Sequence, residues 1–258
     1  MYQLAPNVDV LFAEAGATPA ARVRAAAAAG FDAVEIWTTL DKDIDQLADA
    51  LAETGVTLTA LLAEPRTNFS WPGTDLDPYY EGLERGITNA QRLGCERIVL
   101  GSGLGFPGMK RAQNLERLVD VFSATVARFG GSGVRLLLEP VNTRIDHPGA
   151  LADRTADAVA VARTIDSPHF GILYDLYHSI VEGEDPASEL LAAGDLVGYV
   201  HIADVPGRGQ PGSGAVDWSA QLAVLRAAGY TGPIGLEYFP TVPTLESVAH
   251  IRAVARDV

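Results

Sequence analysis

Four residues sit where apolar runs end, and their types could do chemistry together. They are Glu139 in VRLLLEP (134–140), Asp175 in FGILYDLY (170–177), His201 in VGYVHIAD (197–204) and Glu237 in PIGLEYF (233–239). Each run begins as a buried strand would, and an ionised group taken out of water there costs several kcal/mol unless it is paired or metal-bound. Strand side chains alternate with period two. That puts Arg135, Leu137 and Glu139 on one face, and likewise Gly171, Leu173 and Asp175, then Tyr199, His201 and Ala203, then Gly235, Glu237 and Phe239. The opposite faces, such as Leu136 and Leu138 or Val200 and Ile202, are mostly apolar. Taken singly, a carboxylate at a strand end commonly caps a helix or pairs with an arginine. Three brought together repel and raise one another's pKa unless a cation sits among them. Three oxygen donors and one imidazole suit Mn²⁺, Mg²⁺ or Co²⁺, and a catalytic Zn²⁺ less well.

Other residues carry weaker signals. His178 follows Asp175 by three places and is expected in the loop beyond the strand, either touching substrate or on the surface. Arg208 lies in PGRGQPGSG (206–214), whose Pro and Gly content suggests a shaped loop over a site. It either grips a carboxylate or carbonyl oxygen there or faces solvent. His147 and Trp71 fall in loops expected on the same rim. GLGFPG (103–108) formally matches a dinucleotide-binding pattern, but Pro107 and the missing acidic partner downstream make it a strand-to-helix turn. Cys95 reads as a small buried hydrophobe, and His169 and His250 as ordinary positions.

The elements that must position these residues recur eight times. Apolar runs at 3–12, 32–37, 56–64, 96–103, 134–140, 170–177, 197–204 and 233–239 alternate with segments of helical spacing. Thr18-Pro19 and Asp185-Pro186 mark helix starts, and Gly30, Gly55, Gly94 and Gly229 mark ends. Eight such rounds predict a (β/α)8 TIM barrel, an α/β fold, over one domain of residues 1–258. Four consecutive strands then bring Glu139, Asp175, His201 and Glu237 to one side of the barrel mouth. A doubly wound open sheet would want an early phosphate-binding turn, and GATPAARV is not one.

The formal charge of −14 argues against a non-specific hold on nucleic acid or an anionic membrane. One cysteine excludes an intrachain disulfide and a cysteine-rich zinc site. No signal-like N-terminus and no run near the ~18 apolar residues of a membrane span are seen, so a soluble cytoplasmic protein is expected. Pairing into a homo-oligomer stays open.

LLEPVNTR (137–144), LYDLYHSIVEGE (173–184), HIADVPGRGQPGSG (201–214) and GLEYFP (235–240) resemble the hydroxypyruvate isomerase family, within the xylose-isomerase-like TIM barrels. The resemblance is specific from residue 134 to about 240 and architectural before that. It implies Glu139, Asp175, His201 and Glu237 as ligands of one divalent metal ion, with Glu139 and Glu237 doubling as acid and base. His178 and Arg208 would bind substrate. It further implies aldose–ketose interconversion of a small keto acid or ketose through an enediolate. A ketose 3-epimerase and a non-catalytic carbohydrate-binding barrel are the alternatives; an endonuclease of the same superfamily would need more histidines and a basic groove. Three positions depart from the pattern. His201 stands where these isomerases often have Gln, Ala215 where they usually have Glu, and EPRTNFSWPGTD (64–75) lacks the usual element. Changes in the last two regions bear on substrate choice.

Overall fold

The computed structural model describes residues 2–257. Nine short strands lie among the described residues: β1 (Leu4–Pro6), β2 (Ala33–Val34), β3 (Thr57–Leu58), β4 (Leu61–Leu62), β5 (Arg97–Gly101), β6 (Arg135–Glu139), β7 (Phe170–Asp175), β8 (Val197–Ile202) and β9 (Ile234–Leu236). All pair in parallel, in the orders β1-β9-β8-β7-β6-β5-β4 and β2-β3. β3 and β4 are two pieces of the third run. They part at Thr59, whose hydroxyl donates to Val34 O at 2.9 Å and meets the Tyr199 hydroxyl at 2.7 Å. A parallel bridge between Asn7 and Glu35 joins β1 to β2 and closes the ring. The molecule is an α/β TIM barrel, as the eight-fold alternation predicts.

Register sets the phase of the inward side chains. Leu173 pairs with Tyr199, Asp175 with His201, and His201 with Gly235. Ala60, Val99, Leu137, Leu173 and Tyr199 form a separate buried layer inside the barrel. Leu136, Leu138, Ile172, Val200, Ile202 and Leu236 join the larger core between strands and helices. Below the inner layer, Arg97 donates to Gly198 O and Thr59 O at 3.1 and 3.3 Å, and Arg135 reaches Asp195 O and Leu196 O, both at 3.4 Å. These guanidiniums floor the barrel at the N-terminal ends of its strands.

The caps follow the local sequence. Thr18 Oγ1 accepts from Ala21 N, and Asp185 from Ser188 N. Gly30, Gly55, Gly94 and Gly229 all take the left-handed conformation, which a side chain would strain. One expectation fails. LYHSIVE is not a loop but a helix, Leu176–Glu182, capped by Asp175 and ended by Gly183.

Candidate active site

The four strands end as their phase predicts. One ligand atom each from Glu139, Asp175, His201 and Glu237 lies within 4.8 Å of the others. Asp175, His201 and Glu237 are buried and Glu139 is half-buried. Asp175 serves two ends: its Oδ1 accepts from the amides of Tyr177 (2.8 Å) and His178 (3.2 Å). The capping role of a strand-end carboxylate thus uses one oxygen. Oδ2, the other, lies 3.6 Å from His178 Nε2.

His201 is held at one nitrogen and bare at the other. Nε2 lies 3.0 Å from Glu35 Oε2. Nδ1 lies 3.6 Å from Glu139 Oε1 and 3.5 Å from Glu237 Oε2, is buried, and has no hydrogen-bond partner. Burial alone would lower this imidazole's pKa, but Glu35, then Glu237 and Glu139, hold it well above the ordinary value. Glu237 has both oxygens occupied, by Trp37 Nε1 at 2.6 Å and Arg208 Nη2 at 2.7 Å. Burial pushes its pKa up, but the imidazole of His201 and the guanidinium of Arg208 outweigh that and keep it far below the carboxylate range. Asp175 goes the other way: burial raises it, against the pull of Arg208 and His201.

Glu35 was not singled out in the sequence. It is buried, and its carboxylate also takes the Tyr199 hydroxyl at 2.7 Å and Asn7 Nδ2 at 3.2 Å. A Cβ on Gly235 would sit 2.2 Å from Glu35 Oε2 and 2.6 Å from His201 Cδ2, so only glycine leaves room for this pair. The available signal was a carboxylate within the apolar run DAVEIW, in the same phase as Ala33 and Trp37.

His178 is buried on its helix. Its Nδ1 meets Asn142 Nδ2 at 2.6 Å, so Asn142 donates and the ring proton sits on Nε2. Burial lowers this imidazole to about 4, so it is neutral. Asn142 also donates to Asp146, which takes the Tyr177 hydroxyl as well. Arg208 points inward, with a left-handed backbone (φ 53°) and its guanidinium 5.2 Å from the Tyr177 ring and 5.9 Å from that of Phe239. Its loop is gathered around a second residue that sequence reading passed over. The fully buried Asp204 accepts from the amides of Val205, Gly212 and Val216 and from Trp218 Nε1.

A cavity of ≈ 630 Å³ opens above the cluster, with Glu139, His178, Arg208 and Glu237 in its wall. His147 lines it, as expected for the rim. Trp71 does not: it packs edge-on to Phe106 and donates to Leu104 O at 3.2 Å. Gly103 turns the chain from strand to cavity wall, with φ +67°. Cys95 is buried, its thiol pushed up to about 12 by desolvation. His169 packs beside Gly130, and His250 behind Gly212.

Comparison with known proteins places the chain in a family. The chain is 31% identical to 2-oxo-tetronate isomerase of Cupriavidus necator, over 95% of either chain. It is 29% identical to hydroxypyruvate isomerase of Escherichia coli, over 95% of this chain and 96% of that one. Among solved structures, AP endonuclease, family 2, from Brucella melitensis superposes with a TM-score of 0.89 at 26% identity, covering 98% of this chain and 99% of that one. The sequence family described as xylose isomerase-like TIM barrel matches residues 23–254, and the chain belongs to it.

Proposed function

We propose that this protein is an isomerase of a small keto acid or ketose, dependent on one divalent metal ion, which interconverts aldose and ketose by moving a proton between adjacent carbons. One observation carries the reading: a buried imidazole nitrogen, His201 Nδ1, lacks a partner and faces Glu139 and Glu237, with Asp175 beside them. A bare nitrogen among carboxylates fits a cation, and Glu139, Asp175, His201 and Glu237 would hold it. Mn²⁺, Mg²⁺ or Co²⁺ matches three oxygens and one nitrogen. When bound, such an ion polarises a carbonyl and stabilises negative charge on its oxygen.

The remaining work falls to the chain itself. Without a cation the surrounding carboxylates favour a proton on His201; with an ion bound, Glu35 would keep the Nε2 proton and leave the Nδ1 lone pair facing the cluster. Glu139 lines the cavity and has no hydrogen-bond partner among the described residues, so it is the carboxylate free to take a proton from a carbon next to the carbonyl. Glu237, held charged by Trp37 and Arg208, completes the acid–base pair from the other side of His201. His178 presents Nε2–H as a fixed neutral donor for a substrate oxygen. Arg208, whose Nε is buried without a partner, offers a second donor.

The relatives named for hydroxypyruvate and 2-oxo-tetronate support a small polar substrate. Despite the endonuclease name of the structural neighbour, a net charge of −14 opposes a DNA backbone. No helix among the described residues is long and apolar enough to cross a membrane.

The test is exchange in D₂O. Metal-loaded enzyme is offered hydroxypyruvate, 2-oxo-tetronate, erythrulose, fructose and tagatose separately, and NMR follows deuterium entering each. Metal-dependent exchange with aldose–ketose interconversion is expected. Exchange confined to C3 of a ketose would reassign the chain as a 3-epimerase, and none at all with metal bound would sink the reading.

A further inference from the structure

The cavity is larger than a three-carbon keto acid requires. At ~30 Å³ per water, ≈ 630 Å³ corresponds to on the order of twenty waters, and hydroxypyruvate would displace few of them. On the side of β4 and β5 the wall carries apolar side chains, Leu62, Phe69 and Leu104. It also carries a second arginine, Arg66, on the loop that follows β4. β4 stands four places from β8, the strand of His201, in an eight-fold ring. Arg66 therefore enters from the side of the mouth opposite His201.

Two features distinguish Arg66 from a loose surface arginine. The first is its backbone. A Cβ on Gly82 would sit 2.1 Å from Glu64 O and 2.6 Å from Pro65 Cδ, and one on Gly103 would sit 2.1 Å from Thr67 O. Both contacts are closer than any side chain allows, so the loop lies directly on the helix Asp77–Arg92 and on the turn after β5. Asn68 Oδ1 accepts from Leu104 N at 2.9 Å, and Thr67 Oγ1 donates to Pro65 O at 3.1 Å, fixing it further. The second is its side chain, which is exposed, lines the cavity, and has no ion pair or hydrogen bond among the described residues. Arg208, by contrast, is bound to Glu237. A free guanidinium on a fixed backbone, across an apolar wall from an acidic cluster, is built to receive an anion.

We infer that the substrate is longer than three carbons and carries an anionic group, carboxylate or phosphate, at the end remote from its reacting carbonyl, and that Arg66 binds this group. The inference rests on the isomerase reading of the inner cluster, which places the carbonyl there. The apolar wall between faces the carbon chain. Arg66 is thus a specificity-determining residue, in the stretch (64–75) where the sequence departs from the isomerases it resembles.

Two measurements test this together. In the first, kcat/KM for deuterium exchange is compared for fructose, fructose 6-phosphate and fructuronate, with wild type and Arg66→Ala. One of the two anionic sugars should exceed fructose by about tenfold or more, and Arg66→Ala should bring that ratio near one. Whichever sugar responds names the anion. In the second, calorimetry compares sorbitol, sorbitol 6-phosphate and gluconate, which have no carbonyl to turn over. Tighter binding of an anionic ligand, lost in Arg66→Ala, supports the subsite even where exchange fails and the isomerase reading falls. Equal rates and affinities for neutral and anionic ligands would overturn the inference. So would an anion preference that survives in Arg66→Ala.

Discussion

The two halves of the barrel are built differently. In the N-terminal half, β1 to β4 have three, two, two and two residues. From β5 to β8 the strands have five or six. Three of the four clustered side chains stand on the long strands, and Glu237 directly follows β9. Long ladders hold a side chain to a fixed place, which is what a reactive constellation needs. The short-stranded half is not idle, though its contributions are of another kind. Glu35 reaches His201, Trp37 reaches Glu237, and the loop after β4 brings Arg66 to the cavity. One half carries the groups proposed to react, and the other contacts them and shapes the space in front.

This division can be broken at several points, beginning with the largest effect. Glu139→Gln and Glu237→Gln keep size and shape but would remove the proposed proton transfer. Each should lower kcat by about 10²–10⁴-fold in the exchange assay; Glu139→Gln should leave the melting temperature little changed, whereas Glu237→Gln, which uncharges the partner of Arg208, should lower it as well. A fall of only a fewfold would remove that residue from the acid–base pair.

Next comes Asp204→Ala, which strips four donors of one buried acceptor and should cost about 3 kcal/mol. Burial alone would raise the Asp204 carboxyl, but hydrogen bonds from Trp218 and the loop amides hold it below the usual range. A carboxyl depressed in the folded state stabilises fully above its unfolded pKa of about 3.9, and that stability is lost as pH falls through the folded value. The gap in melting temperature between wild type and Asp204→Asn should therefore be constant above about pH 5 and shrink below about pH 4. A gap that widens in acid would show the carboxylate is not the stabilising form.

The smallest effect tests the supporting half directly. With Glu35→Gln, the amide can donate to His201 Nε2 and shift the ring proton to Nδ1. Affinity for the proposed ion, measured by competition with a chelator, should fall about 10–100-fold while the fold is retained. Unchanged affinity would mean that β2 does not aim His201.

Much of this was legible in the sequence, for a physical reason. Inner and outer faces of the later strands differ cleanly, so period two alone puts Glu139, Asp175, His201 and Glu237 on one side. Glu35 carries the same signal, but in a run so short that alternation barely registers. Asp204 was not legible at all, because its partners are amides of a loop whose shape exists only after folding. The helix of His178 was hidden by its brevity and by its cap: Asp175 was read for its charge, while one of its oxygens holds the first turn. The third run hid its break because Thr59 looks like any strand residue until its hydroxyl meets that of Tyr199.

The floor of the barrel has a kinetic consequence. Arg97 and Arg135 close the far end, and the layer of Leu137, Leu173 and Tyr199 lies between them and the carboxylates. The chamber is thus closed at that end, while Leu104 and Phe239, both exposed, stand in the cavity wall at the other. On the proposed function, a product would leave by the same end at which the next substrate arrives.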